Sequence, residues 1–165
     1  MSFLVETTLP FHVTTDTAQV ASFNHVAFSL LEYLGDGNRL QQNEANSDIQ
    51  RLEHKVDLLL FLLSQFMQQQ QKPPAAQTLR LNSDSISWQT SEQFEVGQLV
   101  SITLYVHHTI PVPLCCQLEI VEQDTHWVFG RLHNLAEEDM AAWSRWVFRQ
   151  HRRTVAMNKQ MPLEH

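Results

Sequence analysis

The stretch SDIQRLEHKVDLLLFLLSQF, residues 47–66, constrains this chain more than any other. Ile49, Leu52, Val56, Leu59, Leu63 and Phe66 follow one another at spacings of 3, 4, 3, 4 and 3. This is an a/d heptad pattern, with Ile49, Val56 and Leu63 at a and Leu52, Leu59 and Phe66 at d. Such a repeat keeps its apolar seam in line only when the helix supercoils against a partner. An apolar helix stripe more often packs on its own domain. Two features reverse that preference here. Proline and a β-rich region follow the helix, leaving few other helices to cover it. Leu58, Leu60, Phe61, Leu62 and Met67 also add apolar surface beyond the seam. Leaving the seam in water forfeits about 9–18 kcal/mol at roughly 1.5–3 kcal/mol per side chain, comparable to the net stability of a whole domain. A homo-oligomer is therefore expected. β-branched residues at a with leucine at d favour two strands, but Leu60 and Met67 at e and Leu62 at g widen the apolar face. The expected state is a homotetramer, with a dimer as the alternative.

A chain of 165 residues with 43% hydrophobic residues can form one domain with a true core. Its net charge of −7 argues against general affinity for nucleic acid or anionic membranes. No apolar run reaches the length needed to span a bilayer. MSFLVETTLPFHV lacks the basic and apolar regions of a signal peptide. The two cysteines, Cys115 and Cys116, are adjacent, give no disulfide framework and fit a reducing cytoplasmic setting. Residues 163–165 read as a tag scar.

LPFHV at 9–13 has strand composition. Thr15 or Asp16 caps an expected helix carrying Val20, Phe23, Ala27, Leu30, Leu31 and Leu34, which Gly35-Asp36-Gly37 ends. Asn38 to Lys72 contains neither glycine nor proline. It reads either as one long helix or as a second helix starting at the capping box Ser47–Gln50. Pro73-Pro74 stops it. Apolar runs at 78–82, 85–90, 98–107, 112–122 and 126–133 then predict short antiparallel strands. A final helix is expected from Asn134-Leu135-Ala136-Glu137, with Glu137, Glu138 and Asp139 in its first turn and Arg149, Arg152 and Arg153 at its end. Met140, Trp143 and Val147 supply its buried face.

LRLNSDSISWQTSEQFEVGQLVSITLYV and WVFGRLHNLAEEDMAAWSRWVFRQHRR resemble the PilZ family. The likeness lies in the Phe94–Val100 segment around Gly97, and in Val128-Phe129-Gly130-Arg131-Leu132 followed by Leu135 and Glu137 to Asp139. It covers about residues 77–153 and implies a six-stranded antiparallel barrel with a C-terminal helix. LPFHV would supply the sixth strand, making residues 16–72 a helical insertion with a coiled coil at about 47–70. The barrel would then comprise 1–15 and 75–162, an α+β architecture. A long helix inserted into the barrel also resembles a tetrameric variant of the family described from xanthomonads.

Many members of the family bind cyclic di-GMP through an RxxxR motif and a [DN]-x-S-x-x-G turn. Arginine forks pair with phosphate and stack on guanine, and glycine lets the backbone approach the ligand. In this sequence Arg80, Asn82 and Ser85 occupy the turn's three motif positions. Residues 1–13 contain no arginine, and 65–79 contain only Lys72. Arg145 and Arg149 have the RxxxR spacing but read as a solvated helix end. The resemblance therefore implies a PilZ-like signalling or adaptor protein that does not bind cyclic di-GMP in the usual way. The alternative is a cyclic di-GMP receptor with a degenerate site. Signalling, motility or virulence regulation follows from the family alone.

His107-His108 and Cys115-Cys116 raise a metal site. Adjacent strand residues point to opposite faces, so packing is preferred and no metal or other cofactor is expected. His25, His54 and His126 stand apart from any acid that would make a base. GxSxG, P-loop and GxGxxG motifs are absent, which counts against a hydrolase and against an enzyme generally. The tryptophans at 127, 143 and 146 read as packing residues, because only Arg145 interleaves them. The expected partners are the chain itself and an unidentified protein, with neither nucleic acid binding nor membrane insertion.

Overall fold

The computed structural model describes residues 3–16, 28, 47–70, 72–106 and 113–160. Six strands and two helices are defined among them: β1 (Val5–Thr14), α1 (Ser47–Gln70), β2 (Ala76–Leu81), β3 (Ser85–Gln89), β4 (Leu99–Tyr105), β5 (Pro113–Gln123), β6 (Trp127–His133) and α2 (Glu137–Gln160). The strands close into an antiparallel barrel in the order β1-β2-β3-β6-β5-β4.

All five runs expected after Pro74 become strands, and LPFHV lies within β1. β1 closes the barrel by changing partner midway. Val5 to Pro10 pair with β2, whereas Phe11 to Thr14 pair with β4. The segment holding α1 is thus an insertion between two neighbouring strands. The helix expected after the Thr15 or Asp16 cap, up to Leu34, lies outside the described residues except for Phe28, which is helical and buried. Residues 38–46, which would distinguish one long helix from two, also lie outside them.

Strand alternation builds the core. On β5, Leu114, Cys116, Leu118 and Ile120 are buried, while Cys115, Gln117 and Glu119 are only partly covered. Leu79, Leu81, Ile86, Trp88, Ile102 and Leu104 meet them from the other strands. α2 seals this core with Ala142, Trp143, Trp146 and Val147. The Trp143 indole N–H donates to the Asn82 carbonyl at 2.9 Å, tying the helix to the β2–β3 turn.

Both ends of α2 differ from expectation. The Ala136 carbonyl accepts the first helical bond, from the Met140 N–H at 2.9 Å. Asn134 instead turns the chain with φ of 52°, a left-handed conformation that asparagine tolerates. At the other end the helix runs to Gln160, so Arg149, Arg152 and Arg153 do not form its terminus and Lys159 occupies the last turn. No glycine or proline interrupts residues 137–160, so propagation continues past the part that rests on the barrel.

Candidate functional site

The six seam residues of α1 are all exposed, with relative accessibilities from 40% at Val56 to 65% at Leu59. None belongs to the core cluster. Leu60 and Met67, assigned to e positions, are half-buried. The side chains of Leu58, Phe61 and Leu62 lie outside the described set. No described helix is long and apolar enough to cross a membrane.

Of the three residues matched to the family's ligand turn, Asn82 lies in the β2–β3 turn, Arg80 near the end of β2 and Ser85 at the start of β3. Asn82 is committed to structure. Its N–H donates to the Ser85 carbonyl at 2.9 Å, and its Oδ1 accepts from the Ser83 N–H at 2.7 Å. Its carbonyl receives the Trp143 indole. The Leu132 N–H donates to the Asp84 carbonyl at 2.8 Å, fastening the same turn to β6. Ser85 pairs with Arg131 across β3 and β6. Asn82, one of the three matched residues, therefore helps hold α2 to the barrel in this chain, and its neighbour Asp84 ties the turn to β6.

Arg80 lies on the outer face of β2, between the inward Leu79 and Leu81. Its guanidinium carbon sits 3.9 Å from the centroid of the Trp127 ring, and its Nε is 3.2 Å from Glu6 Oε2. Both ion-pair side chains are substantially exposed, so solvent screening leaves that pair little net stabilisation. Trp127 is therefore not simply a packing residue. The register explains the contact. Arg80 pairs with Ser87 and Trp127 pairs with Gln89, both on the intervening β3, so a long arginine crosses above a small serine. The signal in the sequence is the outward parity of these positions, which becomes useful only once strand neighbours are known.

Cys115 and Cys116 divide between faces as strand parity requires. Cys116 points inward, and burial, with a smaller effect of Cys115, pushes its thiol from 9.0 up to about 12. Cys115 is half-exposed and lies 3.8 Å from Thr103 Oγ1. His107 and His108 lie outside the described residues. Among those described, no cluster of three or more His, Cys, Asp or Glu could hold a metal ion. Arg145 and Arg149 lie within α2 rather than at its end, and Arg149 and Arg153 repeat their spacing.

The closed barrel and its sealing helix define a PilZ-type β-barrel domain. The chain belongs to the family described as "Atypical PilZ domain, cyclic di-GMP receptor", whose model matches residues 27–160. A pathogenic protein from Xanthomonas campestris shares the fold. It is described as a new tetrameric PilZ domain self-assembled via an unusual helical bundle, and it is 24% identical. The match has a TM-score of 0.78 and covers 93% of this chain and 90% of that one. An inhibitor of motility from Bacillus subtilis matches at 9% identity and a TM-score of 0.41, over 47% of this chain and 42% of that one, too slight to carry an argument. No curated protein matches.

Proposed function

We propose that the protein is a cytoplasmic, non-enzymatic signalling adaptor that assembles through α1, with a homotetramer favoured over a dimer. The exposure of all six seam residues carries this reading. They average about half exposed, so covering the remainder is worth roughly 5–10 kcal/mol per chain, enough to drive association. The Xanthomonas protein's helical bundle offers a precedent on the same fold. Sedimentation of the wild type should give about four times 19.2 kDa. Leu59→Asp, which places a charge in the seam, should yield monomers with an intact barrel. A wild-type monomer would sink the proposal.

On this reading cyclic di-GMP does not bind in the family's usual way, because Asn82 serves as a structural clamp and Arg80 occupies an acid or amide position. The family's description as cyclic di-GMP receptors, together with the Arg80–Trp127 stack, favours one alternative: a receptor with a degenerate site. Titration calorimetry with the dinucleotide separates them. The leading reading expects no micromolar binding. Micromolar binding lost in Arg80→Ala would replace it with the receptor.

A further inference from the structure

The loop between β3 and β4 presents an apolar tip on a rigid frame. Glu95 to Gln98 form a turn of type II pattern. The Gln98 N–H donates to the Glu95 carbonyl at 3.0 Å, and Gly97 takes the third position with φ of +86°. Val96 fills the second position and is 73% exposed. That position favours proline, and turn tips are usually polar, so the geometry does not call for a β-branched apolar side chain. The frame is fastened on both sides. The Glu95 N–H donates to Gln98 Oε1 at 3.0 Å, and the Gly97 N–H donates to the Ile120 carbonyl at 2.7 Å. From β5, Gln123 accepts from the Phe94 N–H at 2.8 Å and donates to the Glu92 carbonyl at 2.7 Å. Phe94 packs edge-on against Trp88 of the core, with centroids 6.0 Å apart. Val96 is therefore displayed from a fixed position, which lowers the ordering cost of binding. Leu99, 36% exposed at the start of β4, and half-exposed Val121, next to Ile120, add apolar surface. Glu92, Glu95 and Glu122 on the same two segments are exposed. Residues 81–130 contain neither lysine nor arginine. Arg131 on β6 stands opposite Glu119 in the strand register, which leaves the other three acids in excess.

We propose that this tip docks a basic segment of a partner protein. An apolar recess in that segment would receive Val96, and its lysines or arginines would face Glu92, Glu95 and Glu122. The local charge sets the sign of the partner. Nucleic acid or an anionic lipid surface would meet net repulsion here. A metal ion fits less well, because among the described residues no group of three or more His, Cys, Asp or Glu could hold one. The α1 seam of a second copy is apolar at every a and d position and brings no cation to these acids. α2 of a second copy carries both signs of charge, and sedimentation tests that occupant below. The inference rests on the adaptor reading and supplies the chemistry of its partner.

The test adds the full chain to fluorescein-labelled synthetic peptides and follows their anisotropy. One peptide intersperses lysine with valine, a second is oligolysine of equal charge, and a third replaces the lysines of the first with glutamate. The lysine–valine peptide should bind saturably and roughly tenfold more tightly than oligolysine, and the glutamate peptide should not bind. Val96→Asp should weaken binding roughly tenfold or more, and so should the triple variant Glu92→Gln/Glu95→Gln/Glu122→Gln. Glu137→Gln/Glu138→Gln on α2 and Leu59→Asp on α1 should leave it unchanged. Circular dichroism should confirm that all variants remain folded. Equal binding of the two cationic peptides, no binding of either, binding that survives Val96→Asp, or binding lost in Leu59→Asp would overturn the proposal. Sedimentation of the same samples keeps the two ideas apart. A wild-type tetramer that ignores the peptides removes docking alone, whereas a wild-type monomer that binds as expected supports docking and removes the assembly reading. A lower mass for Val96→Asp than for the wild type would make the tip a contact between copies and overturn the partner.

Discussion

Gly97 and Gly130 sit in the two phrases that carried the family resemblance, and different physics holds each. Gly97 has φ of +86°, and a Cβ there would meet nothing within 4 Å. Gly97→Ala therefore meets only the backbone cost of the left-handed region, about 1–2 kcal/mol. At Gly130 a Cβ would stand 2.8 Å from Leu118 Cδ1 and 3.2 Å from Trp88 Cζ3, inside a closed barrel. Gly130→Ala should cost about 1–3 kcal/mol through overpacking and also disturb the Trp88 environment. Urea denaturation followed by tryptophan fluorescence checks both, with native-state spectra changed only for Gly130→Ala. Asp124 makes a third prediction. Its Oδ1 accepts the His126 and Trp127 N–H groups, each at 2.7 Å, and these bonds hold its carboxyl below the usual range. A lowered folded pKa gives stability that is present above the ordinary value of 3.8 and lost as pH falls through the folded value. Asp124→Ala should lower Tm at neutral pH and flatten the acid limb of the Tm–pH curve. An unchanged limb would remove Asp124 as a contributor. The glycines were visible in the sequence, but which needed conformation and which needed space was not.

α2 and α1 are both amphipathic, yet their faces were unequally legible. The exposed apolar stripe of α1 follows from apolar spacing alone. The buried face of α2 was partly legible: Trp143 and Val147 are buried, and Met140 is half-buried. α2 extends beyond the arginines that suggest a terminus, because the first proline beyond its start is Pro162. Trp143→Phe tests how α2 is held. The substitution keeps an aromatic ring in the core and removes the donor to Asn82, leaving a backbone carbonyl without that partner. A loss of about 1–3 kcal/mol is expected in thermal or urea denaturation. If Trp143→Phe equals the wild type, the indole bond contributes nothing and packing alone seats the helix.

For the whole molecule, barrel closure makes the core respond as one unit. β5 lies between β4 and β6, so Cys116 is reached only when the barrel opens. With its thiol held at about 12, it should resist iodoacetamide at pH 8 in the folded protein, while half-exposed Cys115 is modified first. In denaturant both should react, and mass spectrometry of the peptide spanning them reads the order. Early labelling of Cys116 would contradict a closed barrel. The same independence of parts predicts that Leu59→Asp changes assembly without changing this protection.

What the sequence determined alone was local and periodic. The two-residue alternation of the strands, the heptad of α1 and the breakers at Pro73-Pro74 all act between near neighbours, so a linear text records them. Tertiary structure decided what depends on distant segments meeting. It set the order in which strands close, brought Arg80 over Trp127 across β3, and put the Asn82 carbonyl within reach of the Trp143 indole of α2. It also decided which face of α2 the barrel covers, and so which stripe stays in water. Exposure is a property of the neighbour that is present or absent, and chain closure, not local spacing, determines the neighbours.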